Sequence, residues 1–443
     1  MSDSFPGANC ALVVAAVDGL ATLGSGLGSV VHWFFEELDA ICDRVSVLRT
    51  PGWSLYAASP YIPSSSPDYS EMVHAIVERA CQSRRGKFIW ISGNDSSTLS
   101  GVWSHSDPDR WREMSRSLAD TVRDLCKRHD KVTVLVHGLM LAGVRAHLLD
   151  CKNVQIVYVA HSLGHVFTDA IETRRKKWEL QAFELMSRHP QDRFGYIGLY
   201  YRDVLTKYYR CPPRQLVPFV NAIPAQSFRF PESVADIHRE RLLDGWGIPT
   251  GKRIVFSWGR CDPQKGFDAL IPAFADFLDS VDVPEEWHLV LLAPQELSSD
   301  DYVELINERI AGLPDSSVTA ISEFNGLLPK LLLDHPSLEI VVFASRYEGA
   351  PLSVLEALRF GHADLRIAWH RIPSIAQFLD ALPLSFPFSS LSRHEITYSL
   401  LAASQQRGGL ANSDLPDSSH SANVAEGLEA TLAWWLDTGL PAR

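Results

Sequence analysis

The chain has 443 residues, 46% of them hydrophobic and 21% charged, with a formal net charge of −12. This is ordinary globular material for about two or three domains, and its acidic balance argues against nucleic acid as a partner and weakens any case for an anionic membrane surface. The seven cysteines (Cys10, Cys42, Cys81, Cys126, Cys151, Cys211 and Cys261) are scattered, odd in number and form no C-x-x-C pair, so reduced thiols in a cytosol are expected.

"CALVVAAV" at Cys10 is too short and too poorly flanked by basic residues for a signal peptide, and reads as the first strand. No apolar run approaches the length of a membrane span. Gly24, Gly26 and Gly28 follow in a strand-to-helix turn. Short β-rich runs then alternate with helical patterns: "RVSVL", "KFIWISG", "KVTVLVHG" and "VQIVYVAH", followed by "IVFSWG", "WHLVLLA", "VTAIS", "EIVVFAS" and "LRIAWH". The alternation predicts doubly wound parallel sheets, with more strands than one sheet holds comfortably.

"DPD" (Asp107–Asp109) has a spacing that can hold a metal, but Asp107 as an N-cap with Pro108 at the first helical position explains it better. No catalytic metal and no cofactor are expected. "RRKK" (Arg174–Lys177) reads as a solvated helix face. Pro-containing sequence around Asn221–Ser233 offers the natural break. The predicted domains are residues 1–225, residues 226–415 and a C-terminal helix within 416–443, the last following a polar stretch at 410–423.

The chemistry concentrates in "ASRYEGAPLSVLEALRFG", residues 344–361. A buried strand leads into it, and Pro351 opens a helix. The helix start leaves backbone N–H groups without partners and carries partial positive charge, so Gly349, Ala350, Pro351 and Leu352 offer an anion site. Glu348 lies beside that anion and Glu356 looks back from the second turn. A second strand, turn and helix, "RIVFSWGRCDPQKGFDALIPAF", brings Arg260 and Lys265 to a strand's carboxyl end, where open α/β sheets bind ligands. It is neither a P-loop nor a dinucleotide fingerprint. A ligand with a polyol on each side of a diphosphate fits this layout, and a nucleotide-sugar is such a ligand.

"GRCDPQKGFDALIPAF" and "EGAPLSVLEAL" together resemble the donor half of the retaining glycosyltransferases of family 4, the group 1 glycosyltransferases. The resemblance implies the GT-B fold, two Rossmann-like domains facing across a cleft, with a C-terminal helix that crosses back to the first. It is clear over roughly residues 250–361. Earlier, "GSGLGSVVHWFFEEL" resembles the family's first loop and helix, and "VYVAHSLGH" its strand followed by a histidine, here His161. The chain departs from the pattern at Ala222, where the family usually has Gly, and in "HADLRIAWHRIPSIAQFL", which lacks a Gly pair.

By this resemblance His161 contacts the transferred sugar, Glu348 the sugar hydroxyls and Glu356 the ribose. Gly26 and Gly28 let backbone approach the phosphate or the acceptor. Arg260, Lys265 and the helix start meet the negative charge that develops on the departing diphosphate. The acceptor hydroxyl attacks from the face the leaving group vacates. The implied activity is transfer of a hexose or amino-hexose to a hydroxyl of a small polar acceptor, such as an aminocyclitol. One alternative is a disaccharide or disaccharide-phosphate synthase. Another is a nucleotide-sugar-binding subunit without catalysis. Donor base, sugar, acceptor and oligomeric state stay open.

Overall fold

A computed structural model describes residues 9–49, 51–91, 107–166, 172–224, 236–295, 298–406 and 420–436. The chain divides into two compact units, residues 1–222 with 418–443, and residues 223–417. The domain boundaries expected at 225/226 and 415/416, and most of the polar stretch 410–423, lie outside the described residues.

The first unit is built on seven strands: β1 (Cys10–Ala16), β2 (Trp53–Pro60), β3 (Phe88–Ile91), β4 (Lys131–His137), β5 (Val154–Ala160), β6 (Arg193–Tyr196) and β7 (Leu216–Pro218). Their order in the sheet is β3-β2-β1-β4-β5-β6-β7, and every pairing is parallel. Among the described residues, the helices of this unit are α1 (Gly26–Glu36), α2 (Leu38–Cys42), α3 (Glu71–Ser83), α4 (Pro108–Cys126), α5 (Glu172–Ser187) and α6 (Leu199–Lys207). Strand β1 is buried along its whole length, as a central strand covered on both faces must be. Asp107 caps α4, its Oδ1 accepting from Asp109 N at 2.9 Å and Arg110 N at 3.4 Å, with Pro108 in the first turn. Within the basic run, Arg175 is buried and pairs with Glu179 on the same helix at 2.8 Å.

Some of the sequence expectations need correction here. "RVSVL" is no strand: Ser46–Arg49 form a 3-10 turn, and Pro51 and Gly52 follow at once. The strands β2, β6 and β7 were not anticipated, since Ser, Gly and Pro break up their apolar character and β7 has only three residues.

The second unit contains β8 (Arg253–Trp258), β9 (Trp287–Leu292), β10 (Val318–Ile321), β11 (Leu338–Phe343), β12 (Arg366–His370) and β13 (Ser385–Phe388), in the order β10-β9-β8-β11-β12-β13. These pairings are also all parallel. Its helices are α7 (Asp236–Gly245), α8 (Phe267–Ser280), α9 (Asp300–Ala311), α10 (Leu328–Leu333), α11 (Leu352–Phe360), α12 (Pro373–Leu379) and α13 (Arg393–Gln405). Alternate strand residues serve opposite faces: Val255, Ile340 and Val342 pack with Phe274 of α8 and Leu400 of α13, while Ile254, Phe256 and Val341 pack with Leu331 of α10 and Val354 of α11. The unit is doubly wound, with packed helices on both faces of the sheet.

The last helix, α14 (His420–Leu436), belongs to the first unit. Its Trp435 is buried and donates from Nε1 to Thr133 Oγ1 at 2.9 Å, and Glu429 accepts from Ser46 N at 2.8 Å. Lys131 donates to Trp434 O at 2.6 Å and sits 5.2 Å from the Trp434 ring centroid. Among the described residues, no helix is long and apolar enough to cross a membrane.

Candidate functional site

The loop leaving β8 is shaped by turn chemistry. Asp262 Oδ1 accepts from Gln264 N at 2.8 Å, Pro263 starts a 3-10 turn ending at Lys265, and Gly266 closes it with φ 69°. A Cβ on Gly266 would lie 2.1 Å from Ala344 O, so only glycine lets this turn touch the end of β11. At Gly259, with φ 147°, a Cβ would lie 2.8 Å from Lys265 Cε, and the missing side chain is what gives the lysine its path.

The loop leaving β11 supplies the carboxylate. Glu348 Oε1 accepts from Lys265 Nζ at 2.6 Å and from Ser345 Oγ at 2.8 Å, and its Oε2 accepts from Gln264 Nε2 at 3.1 Å. Gln264 also donates to Tyr347 O at 3.0 Å and accepts from Arg260 at 3.4 Å. Arg260 itself is exposed. Beside this pair, Arg346 grips Asp268 of α8 at two points, 2.9 and 2.7 Å. Burial would raise the Asp268 carboxyl, but the guanidinium outweighs it and holds the group below the usual carboxylate range.

Helix α11 then begins with Pro351 as N-cap, and no side chain caps it. Gly349, Ala350, Pro351 and Leu352 therefore line an uncapped helix start directly after Glu348, with its backbone donors and positive dipole end. Glu356, one turn into the helix, accepts at Oε2 from Trp258 Nε1 at 3.0 Å. Burial pushes the Glu356 carboxyl up, against the lowering influence of that N–H and of the Lys330 and Lys265 charges. Arg260, Lys265, Glu348 and the 349–352 segment thus share one corner of the second unit, with Glu356 on the same helix start.

His161, Gly26 and Gly28 lie in the first unit. His161 follows β5 directly, and its Nε2 is 2.8 Å from Nδ1 of His137, the last residue of the adjacent β4. Burial pushes His137 down to about 3 and His161 well below its ordinary value, so both rings are neutral at pH 7 and one nitrogen of the pair donates to the other. Gly26 is exposed at the start of α1. Gly28 is buried for an internal reason: a Cβ there would lie 2.3 Å from Asp18 Oδ2. The wholly buried Asp18 organises this loop, accepting from Gly19 N at 2.8 Å, Thr22 Oγ1 at 2.7 Å and Ser25 Oγ at 2.6 Å. Leu27 approaches Gly138, to 3.8 Å of an ideal Cβ, which brings the α1 start to the same sheet end as His137.

Sequence reasoning missed Asp18, His137, Trp258, Gln264 and Ser345. Of these, Gln264 carried a usable signal, since it stands inside the D-P-x-K-G turn beside Lys265.

Solved structures that share this fold include a glycosyltransferase from Rickettsia africae. Residues 238–365 match the family model described as glycosyl transferases group 1. The fold is GT-B. A sucrose-phosphate synthase from Thermosynechococcus elongatus superposes with a TM-score of 0.64 at 15% identity, covering 96% of this chain and 94% of that one. A UDP-forming trehalose-phosphate synthase from Burkholderia xenovorans, in complex with glucose-6-phosphate, gives 0.61 at 14% identity over 96% and 98%. Anabaena HepE, in complex with UDP and glucose, gives 0.60 at 13% identity over 96% and 95%. No curated protein sequence matches the chain.

Proposed function

We propose that the chain is a retaining, metal-independent glycosyltransferase of the family 4 type, moving a hexose or amino-hexose from a nucleoside-diphosphate sugar to a hydroxyl of a small polar acceptor. The observation that carries this reading is the Lys265–Glu348 pair, bridged by Gln264 to Arg260 and set against the uncapped start of α11. Cations and backbone donors meet there beside a carboxylate, which suits a diphosphate joined to a sugar.

In the reaction, charge accumulates on the diphosphate as the anomeric bond breaks. Arg260, Lys265 and the N–H groups near Ala350 to Leu352 take up that charge, so the departing group needs no metal partner. Glu348 orients the sugar hydroxyls, Glu356 takes the ribose, and His161, neutral at pH 7, contacts the transferred sugar without adding a positive charge next to the developing oxocarbenium ion. Gly26, exposed at the α1 start, admits the acceptor or phosphate, and Gly28 keeps that turn seated on Asp18.

The sucrose-phosphate and trehalose-phosphate synthases among the structural neighbours favour a sugar or sugar phosphate as the acceptor, which makes disaccharide-phosphate synthesis the leading form of the activity. The test is product analysis by NMR after incubation with nucleotide-sugars and hexose, hexose 6-phosphate or aminocyclitol acceptors. A new glycoside that keeps the donor's anomeric configuration supports the reading. Inversion refutes the retaining assignment, and donor binding without any transfer supports a non-catalytic subunit.

A further inference from the structure

Trp258 is the last residue of β8, and Glu356 lies 98 positions later on α11. The indole that joins them cannot swing freely. It stacks on Phe256, two residues earlier on the same face of the strand, with centroids 4.6 Å apart and planes 11° apart. It also meets Phe343, at the end of β11, edge to face at 5.3 Å. Only 8% of the residue is exposed. Packing against two phenyl rings would be served equally by phenylalanine. The indole N–H is the one feature that packing does not require, and it is spent on Glu356 Oε2 at 3.0 Å. Among the described residues, no donor is bonded to Glu356 Oε1.

We propose that Trp258 is a positioning residue of the donor site: it holds Glu356 by Oε2 and so presents Oε1 to a hydroxyl of the nucleotide's ribose. The inference rests on the donor reading above. Its logic is that a carboxylate accepting from a fixed donor has one rotameric orientation, and a ligand hydroxyl then forms its bond without first ordering the side chain. The charged groups facing Glu356 are Lys330 on α10 and Lys265 in the turn after β8. Both favour the ionised carboxylate, as the indole N–H does, while burial opposes it and prevails.

The experiment compares the full-length wild type with Trp258→Phe and Glu356→Gln. Binding of UDP-, GDP-, ADP- and dTDP-glucose is measured by calorimetry from pH 5 to 8, and the Glu356 carboxyl is titrated by carbon-13 NMR, assigned by its loss in Glu356→Gln. Trp258→Phe is expected to weaken the best nucleotide-sugar on the order of tenfold at pH 7, with a larger loss at lower pH because the carboxyl now titrates higher. A purely structural tryptophan would lower the melting temperature and leave the pH profile of binding in place.

If Trp258→Phe does not fold, Trp258→His and Trp258→Leu form a second pair that differs in a ring N–H, and equal affinities in that pair overturn the inference. Wild-type affinity and pH profile in Trp258→Phe overturn it as well while leaving the donor site standing. A wild type that binds none of the four sugars removes the donor reading, and this inference falls with it.

Discussion

Lys265 Nζ donates to Glu348 Oε1 at 2.6 Å across 83 positions of sequence, with the two side chains only 16% and 8% exposed. If Lys265 meets the donor diphosphate as proposed, that anion competes with a carboxylate of the protein itself, whereas an intact nucleotide-sugar would compensate Glu348 with hydroxyl donors. The pair would then favour a ligand that carries both parts.

Glu348→Gln separates the two effects. It frees Lys265, so the nucleoside diphosphate alone is expected to bind about fivefold tighter, because a competing anion has gone. Transfer should fall by about 100-fold as the sugar loses its orienting acceptor. Calorimetry with the diphosphate and turnover with the matching nucleotide-sugar check the two halves. Weaker diphosphate binding in the variant would show that Glu348 does not compete for Lys265.

Gly266→Ala places a methyl group at φ 69° and 2.1 Å from Ala344 O. The left-handed conformation and the clash together are expected to cost about 2–4 kcal/mol, and relief of the clash must push the Lys265 turn away from β11. Denaturant unfolding measures the loss. Donor affinity in the same variant should drop even where the chain remains folded.

The buried histidines make stability fall with acid. His137 is lowered from 6.5 to about 3, so as pH drops below 6.5 the unfolded chain takes up a proton that the native chain refuses. Stability is complete above 6.5 and is lost toward 3, at about 1.4 kcal/mol per pH unit. His420, wholly buried and lowered to about 4, adds a second loss of the same sign that ends nearer pH 4. Asp192, raised to about 6 mainly by burial, works in the opposite direction. The diagnostic quantity is therefore a difference between variants: His137→Gln should lose about 2 kcal/mol less than wild type between pH 7 and 5. Parallel pH profiles in urea unfolding would contradict the neutral pair.

Trp435→Ala removes a buried indole of α14 together with its bond to Thr133 on β4. A loss of about 3–5 kcal/mol is expected in the first unit. The second unit, which α14 does not belong to, should keep its own transition. Hydrogen exchange resolved by segment reads both.

The legible parts of this fold were those in which local sequence and global structure agree. β8, β9 and β11 are continuous apolar runs because both faces of a doubly wound sheet are covered, and Pro and Gly punctuate the loops after β8 and β11. β13 escaped notice because Pro387 interrupts four residues that are mostly half-exposed. Val45 and Leu48 of "RVSVL" are buried, yet they are buried from a turn rather than from a strand, and an alternating pattern does not distinguish the two over five residues. At the site, Glu348, Glu356, Arg260 and Lys265 were visible as spacings within two loops. The residues that assemble them were not. Gln264 reaches Glu348 across 84 positions and Trp258 reaches Glu356 across 98, and no periodicity in one chain encodes such a meeting. At Gly28 the glycine itself was legible, but not that a Cβ there would meet Asp18, ten positions earlier in the chain.

The most direct test of the central claim is a titration of the purified chain with UDP-, GDP-, ADP- and dTDP-sugars, following thermal shift and slow nucleoside diphosphate release, beside Arg260→Ala and Glu348→Ala. The account predicts that one donor class both stabilises the wild type and is slowly hydrolysed, with release lost in both variants. Failure of every donor to bind, or release undiminished in both variants, would contradict the assignment of the donor site.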